Sequence, residues 1–237
     1  MDFEQIKALV KNYQPSEATK KMISDHPPVL LAGVSGAGKN YLLSELLKTG
    51  NYHDFVTHTT RVPRENQGKL EQDAIDYYFI NNAQAITMLQ NQAFIEAKIV
   101  HDYLYGSSVA EYQKALALGK TPIADIDVQG VVEYKKIAPS TKALFILPPS
   151  YEVWLDRLKK RFASEDEFLT AWEKRRQSAI QELEFALSSH LFEWVINDNI
   201  AVSVVEANRL IKNGNIDFAT AEQKQIAKDL LGRLQDL

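Results

Sequence analysis

The segment Gly33-Val34-Ser35-Gly36-Ala37-Gly38-Lys39-Asn40 fits, at every fixed position but the last, the glycine-rich loop that cradles nucleotide phosphates. Its glycines let several backbone N–H groups converge on one anion, and its lysine reaches the outer phosphates. The last position normally carries Ser or Thr, whose hydroxyl oxygen binds Mg²⁺; here it is Asn40. An amide oxygen is also a donor for Mg²⁺, but it lies about one bond further from the backbone than a serine hydroxyl. It would hold the ion after a small shift or through a water. The cradle and Lys39 do not depend on it, so a displaced metal should slow phosphoryl transfer more than it weakens acceptor binding.

Other residues offer matching chemistry. Arg61 and Arg64 stand three apart on a turn containing Pro63, so two planar, multi-donor cations can face one phosphate. Arg157 and Arg161 are four apart and share a helix face, and Arg175-Arg176 open a returning helix. Asp125 and Asp127 alternate at the end of an apolar run, which on a strand points both to one side. Beside a phosphate loop such carboxylates hold Mg²⁺ waters or orient the acceptor; capping of the next helix is the alternative.

The elements that must position these groups can be read from the pattern. Val29-Leu30-Leu31-Ala32 is a buried strand entering the loop, and Asn40 to Lys48, with Leu42, Leu43, Leu46 and Leu47 on one stripe, is the helix leaving it. Further strands are expected at Phe55–Thr57, Thr121–Asp127, Ala143–Leu147 and Glu193–Asn197. Helices are expected over 108–118, 151–161 and 167–190, with a polar, irregular stretch from Arg61 to Asp76. Short helices lead in, one over 3–13 and one from Pro15-Ser16-Glu17 to before Pro27-Pro28. Continuous apolar strands alternating with helices define an α/β fold, a three-layer α/β/α sandwich around a parallel sheet. In such sheets ligands gather at the carboxyl ends of the strands, where the loop and Asp125 both fall.

Composition bounds the rest. A chain of 237 residues suffices for one domain with insertions or an appendage. Its formal charge of −4 points neither to nucleic acid nor to a membrane surface. The absence of cysteine excludes disulfides, thiolate metal sites and cysteine nucleophiles. No apolar run approaches the ~18 residues of a membrane span, and the acidic start is unlike a signal peptide. A cytoplasmic protein is expected.

Downstream of the loop, in order, stand His58-Thr59-Thr60-Arg61-Val62-Pro63-Arg64, Asp76-Tyr77-Tyr78-Phe79, Phe94-Ile95-Glu96, Tyr105-Gly106-Ser107 and Ala124-Asp125-Ile126-Asp127-Val128-Gln129-Gly130. Phe145-Ile146-Leu147-Pro148-Pro149-Ser150 and Val195-Ile196-Asn197-Asp198 follow. In this order and spacing, from about Val29 to about Ile211, the chain resembles guanylate kinase. The resemblance implies a P-loop fold with an inserted NMP-binding region at about 54–107 and a lid at about 157–176; outside it, the apolar spacing gives a helical extension over 1–28 and an amphipathic helix over 213–237. That last helix either packs on its own core, the reading we favour, or serves self-association. The implied reaction is transfer of the ATP γ-phosphoryl group to GMP with Mg²⁺, in a monomer or homodimer, with no nucleic acid or membrane partner.

The resemblance also distributes roles. Gly33, Ser35, Gly36, Ala37, Gly38, Lys39 and Asn40 bind ATP, and Asn40 with Asp125 holds the metal. Lys39, Arg157, Arg161 and Arg175 act on the transferring phosphoryl group, whereas Arg176 reads equally as a solvated helix charge. Arg61, Arg64, Tyr77 and Tyr105 grip the GMP phosphate; Glu96, Thr57 and Ser107 meet the base; Asp127 completes the GMP site. Guanine's two adjacent donors suit the two oxygens of Glu96. The loop after Arg64 is longer than usual, so Glu65 and Glu71 compete for the family's glutamate; counting back from Asp76-Tyr77 selects Glu71. The segment Phe162 to Lys174 departs from the family's usual lid sequence. Two other readings stay open: a catalytically weak guanylate-kinase-like binding module, and a related kinase acting on phosphorylated ribose.

Overall fold

The computed structural model describes residues 2–66, 69–100, 102–213 and 219–236. Residues 214–218 and Leu237 of the expected C-terminal stretch lie outside the described residues. Two helices lead in, α1 (Asp2–Lys11) and α2 (Glu17–Asp25), the second capped by Ser16. Then come β1 (Val29–Ala32), α3 (Lys39–Lys48), β2 (Tyr52–Asp54), β3 (His58–Thr59), β4 (Glu65–Asn66), β5 (Lys69–Leu70), β6 (Tyr78–Phe79) and α4 (Asn82–Gln90). These are followed by β7 (Phe94–Val100), β8 (Tyr103–Ser108), α5 (Val109–Ala117), β9 (Thr121–Asp125), α6 (Val128–Ile137) and β10 (Lys142–Leu147). The chain continues with α7 (Tyr151–Lys159), α8 (Glu165–Ser188), β11 (Glu193–Ile196), α9 (Ile200–Asn213) and α10 (Ala221–Gln235).

The apolar strands β1, β9, β10 and β11 join β2 in a parallel sheet of order β11-β10-β1-β9-β2. Leu30, Leu31, Leu144, Phe145 and Ile146 are fully buried in it, as strands covered on both faces require. A second sheet, β6-β3-β8-β7, carries the antiparallel hairpin β7–β8. It has its own small core of Ile6, Ala85, Leu89, Phe94 and Leu104, to which α1 and α4 contribute.

Three details differ from the sequence reading. The strand expected at Phe55–Thr57 lies earlier, at Tyr52–Asp54, where Tyr52, His53 and Asp54 pair with Thr121, Pro122 and Ile123 of β9. Phe55 N still donates to Ile123 O at 3.1 Å, and the chain then crosses to the second sheet. The strand expected through Asp127 stops at Asp125, because the Asp127 carboxylate caps α6 by accepting from Gly130 N at 2.7 Å. The stretch after Arg64 is not wholly irregular, since β4 and β5 pair antiparallel within it.

Candidate active site

The glycine-rich loop is shaped by contacts that leave no room for side chains. Gly33 has φ +133°, and a Cβ there would sit 2.3 Å from Ile146 O. Gly38, the N-cap of α3, has φ +91°, and its Cβ would meet Asn197 Nδ2 at 2.3 Å. No side chain caps α3, so the unpaired donors and positive end of that helix open onto the loop. Asn197 Nδ2 donates to Ala37 O at 2.9 Å, and Trp154 Nε1 to Ser35 O at 2.8 Å, fixing the loop from outside. Lys39 Nζ donates to Gly33 O at 2.6 Å and lies 3.8 Å from Asp125 Oδ1.

Cations arrive from α7, from the turn after it and from α8; Arg161, expected on one helix face with Arg157, lies just beyond α7, which ends at Lys159. Arg161 Nη1 donates to Ser35 Oγ at 2.9 Å, and Arg157 Nη1 to Asn197 O at 2.8 Å. Arg175 is half-buried, and its pKa is lowered first by burial and then by the positive charges of Arg161 and Arg64. Like charges held together in this way are relieved by an anion. Arg176 turns away, to Glu173 and to Leu234 O. The turn between α7 and α8 spans only 160–164, so most of the expected lid tip is already helix.

On the other side of the cleft Arg61 is 4% exposed, and its fork grips Glu71, with Nη1–Oε2 at 2.7 Å and Nη2–Oε1 at 3.0 Å. Its Nε donates to the Tyr105 hydroxyl at 3.0 Å, and the Tyr77 ring lies 5.2 Å from its guanidinium carbon. Burial opposes the charge on Arg61, but the bonds to Glu71 and Tyr105 outweigh it and raise its pKa. Burial likewise pushes Glu71 up, yet Arg61 and the Arg64 N–H bring it below its usual value. Arg64 itself is exposed. Glu65 belongs to the β4–β5 hairpin, whereas Glu71 stands on Arg61.

Glu96, on β7, is 6% exposed. Its Oε1 accepts from Ser107 N at 3.1 Å and Ser107 Oγ at 2.8 Å, while Oε2 is buried with no hydrogen-bond partner among the described residues. Burial raises its pKa, against Lys98 and Ser107, which lower it. Asp127, besides capping α6, pairs with Lys98.

A cavity of about 580 Å³ joins these groups, lined by Lys39, Asn40, Thr57, Glu71, Tyr77, Glu96, Tyr105, Asp125, Asp127, Arg161 and Arg175. A second, of about 730 Å³, opens on the outer side of the loop, against Gly36, Gly38, Asn40, Arg157, Arg161 and Asn197. Ala37, Arg61, Arg64 and Ser107 line neither; Arg61 and Ser107 lie buried behind the lining. Two lining carboxyls escaped the sequence reading. Asp54, at the end of β2, is pushed up to about 7 by burial, then by Asp125 and Glu111. Glu182 is also raised to about 7, by burial first. Only the seven-residue spacing of Glu182 from Arg175, two turns of α8, could have signalled it.

The donor set suits Mg²⁺. The Asn40 amide and the Asp54 and Asp125 carboxylates, all oxygen donors, open on the cavity that holds Lys39. No group of three or more His, Cys, Asp or Glu among the described residues could cage a metal. Mg²⁺ is ordinarily held by one or two carboxylates with phosphates and waters, so none is needed.

This architecture defines an α/β protein of the P-loop fold whose glycine-rich loop opens on a cavity lined by arginines and carboxyl groups. The family profile described as guanylate kinase matches residues 25–213. The chain is 35% identical to guanylate kinase of Saccharophagus degradans over 183 residues, covering 74% of this chain and 85% of that protein. It is 34% identical to guanylate kinase of Schizosaccharomyces pombe over 188 residues, 78% and 90% of the two chains. The crystal structure of guanylate kinase from Anaplasma phagocytophilum has the same fold, with TM-score 0.57 at 19% identity over 89% of this chain and 96% of that one. The chain belongs to the guanylate kinase family.

Proposed function

We propose that this protein transfers the γ-phosphoryl group of ATP to GMP, giving ADP and GDP. The observation that carries the reading is Glu96, a cavity-lining residue whose buried carboxylate is oriented by Ser107 through one oxygen and has its other oxygen buried without a hydrogen-bond partner among the described residues; the same cavity continues to Lys39. A base with two adjacent N–H donors satisfies it. Adenine, with an acceptor at the ring position, leaves it facing a lone pair, at about 1–3 kcal/mol per unpaired group.

We assign the division of labour by analogy with the family. Thr57 meets the base, Ser107 orients Glu96 toward it from behind the lining, and Asp127, with Lys98, closes that end. Arg64, Tyr77, Tyr105 and Arg61, the last anchored by Glu71, hold the acceptor phosphate. The glycine-rich loop and Lys39 hold the donor phosphates, and Arg157, Arg161 and Arg175 offset charge on the transferring group. Asn40 and Asp125 would hold Mg²⁺, which would supply neutralising charge to the donor phosphates. We assign 29–212 to the kinase domain, with an NMP-binding region at about 54–107 and a lid at about 157–176. The helical extension over 1–28 and the C-terminal helix over 213–237 flank it. The protein would work in the cytoplasm as a monomer or homodimer.

Glu96→Gln tests the base-reading role. The amide keeps one acceptor and turns a donor toward the base. GMP affinity should fall about 10- to 100-fold, while ATP affinity stays within about twofold, as read by calorimetric titration of each nucleotide. Equal losses for both would overturn the assignment.

A further inference from the structure

The family match begins at residue 25, yet the segment before it reaches the strand that carries Glu96. The Tyr13 hydroxyl donates to Phe94 O at 2.6 Å and accepts from Phe94 N at 2.9 Å, engaging both backbone polar groups of one residue. Its ring meets Phe94 edge-on at 6.4 Å, and Gln92 Nε2 donates to Gln14 O at 3.1 Å beside it.

Phe94 sits at an irregularity. In the β7–β8 ladder Phe94 faces Ser108 and Glu96 faces Ser107, so Ile95 is the extra residue of a bulge. Three successive side chains consequently go three ways. Phe94 enters the small core with Ile6, Ile95 enters the main core, and Glu96 turns to Ser107 and the cavity. Gly106, paired with Ala97 next to the bulge, permits this, because a Cβ there would lie 2.8 Å from Glu96 O and 2.9 Å from the Phe94 ring. Bulges re-aim a side chain, and the aim depends on what fixes the backbone at the bulge.

We propose that Tyr13 is a positioning residue for base selection: by holding both backbone groups of Phe94 it sets the angle at which Glu96 presents its carboxylate to guanine. The proposal rests on the guanine-reading role of Glu96. Burial, chiefly, pushes the Tyr13 phenol up to about 12, so its proton is in place throughout the neutral range. The partly buried Phe3, Leu9 and Val10 of α1 pack with Tyr13 on the small core, so the arm that delivers the hydroxyl is itself anchored.

The test is Tyr13→Phe in the full chain, alone and combined with Glu96→Gln, with kcat and KM measured for GMP, for IMP (whose base lacks the exocyclic amine) and for ATP. The single variant should raise KM for GMP about tenfold and shrink the preference for GMP over IMP, with kcat and the ATP KM within about twofold. In the Glu96→Gln background it should add nothing, because the carboxylate it aims is gone. A lowered melting temperature with GMP KM and base preference unchanged would reduce Tyr13 to a packing residue and overturn the proposal. So would an undiminished effect in the double variant. If Glu96→Gln alone leaves GMP recognition intact, the base-reading assignment fails instead, which separates the two ideas. Hydrogen exchange on the unmutated protein gives a check independent of any variant's folding. The Phe94 amide should be protected without ligand, and GMP should slow exchange at Phe94 and Glu96 together; a freely exchanging Phe94 amide overturns the proposal.

Discussion

Asn40, as the proposed Mg²⁺ ligand, would change the oxygen offered to the metal and leave the backbone cradle and Lys39 as they are. Asn40→Ser should therefore lower the Mg²⁺ concentration needed for half-maximal turnover and leave GMP affinity unchanged, as read by a magnesium titration of the rate. No shift would show that Asn40 does not limit the metal site. Asp54 has a different signature. Its pKa rises from 3.8 unfolded to about 7 in the fold, so the native state holds the proton more tightly. Its contribution to stability is present below the unfolded value and is lost as pH rises through about 7. Asp54→Asn should thus stabilise the ligand-free protein more at pH 8 than at pH 5 in urea denaturation. An equal gain at both pH values would contradict the shift. Lys39 and Arg175, named from the sequence as candidate site residues, do line the cavity. Asp54, Glu182, Asn197 and Tyr13 were not recognised as neighbours of the site, since tertiary packing brings Tyr13 to Phe94 across 81 positions and Asn197 to Ala37 across 160.

At the scale of elements, the strand–loop–helix unit was the most legible, because a four-residue apolar run, three glycines and a leucine stripe each have one physical reading there. Its tolerance should be correspondingly low. Gly33→Ala forces a methyl carbon to 2.3 Å from Ile146 O at a positive φ, with backbone on both sides unable to yield cheaply. We expect a lower melting temperature together with loss of ATP binding; an alanine variant that binds ATP normally would show that the loop can open without harm. Less legible were the hairpin β7–β8 and the helices α4, α6 and α9. Tyr103–Ser108 carries a glycine and two serines, which read as turn, and becomes a strand through pairing with β7. The displaced β2 has the same origin, since its register is set by β9 rather than by the apolarity of Phe55 and Val56.

Over the whole molecule, two cores divide the work. The main core lies on the parallel sheet and supports the glycine-rich loop; the smaller one lies on the second sheet, which carries Glu96. The α/β class followed from the alternation of apolar strands and helices, but the second core did not, because α1 and α4 meet only in three dimensions. The helix α10 buries Ala227, Leu230 and Leu234 in the main core, and Arg176 of α8 donates to Leu234 O at 2.7 Å. Its apolar face is thus taken up within the chain. No helix among the described residues is long and apolar enough to cross a membrane. Which acceptor the cleft takes decides the proposed function. Its most direct test is ADP formation by the full chain with ATP and Mg²⁺, measured in a coupled assay with GMP, AMP, CMP and UMP in turn. Turnover with GMP, at least about a hundredfold above the others by kcat/KM, is the predicted result, as a site built around a buried hydrogen-bonding group should give. Binding of GMP without turnover, or turnover that ignores the base, would contradict it.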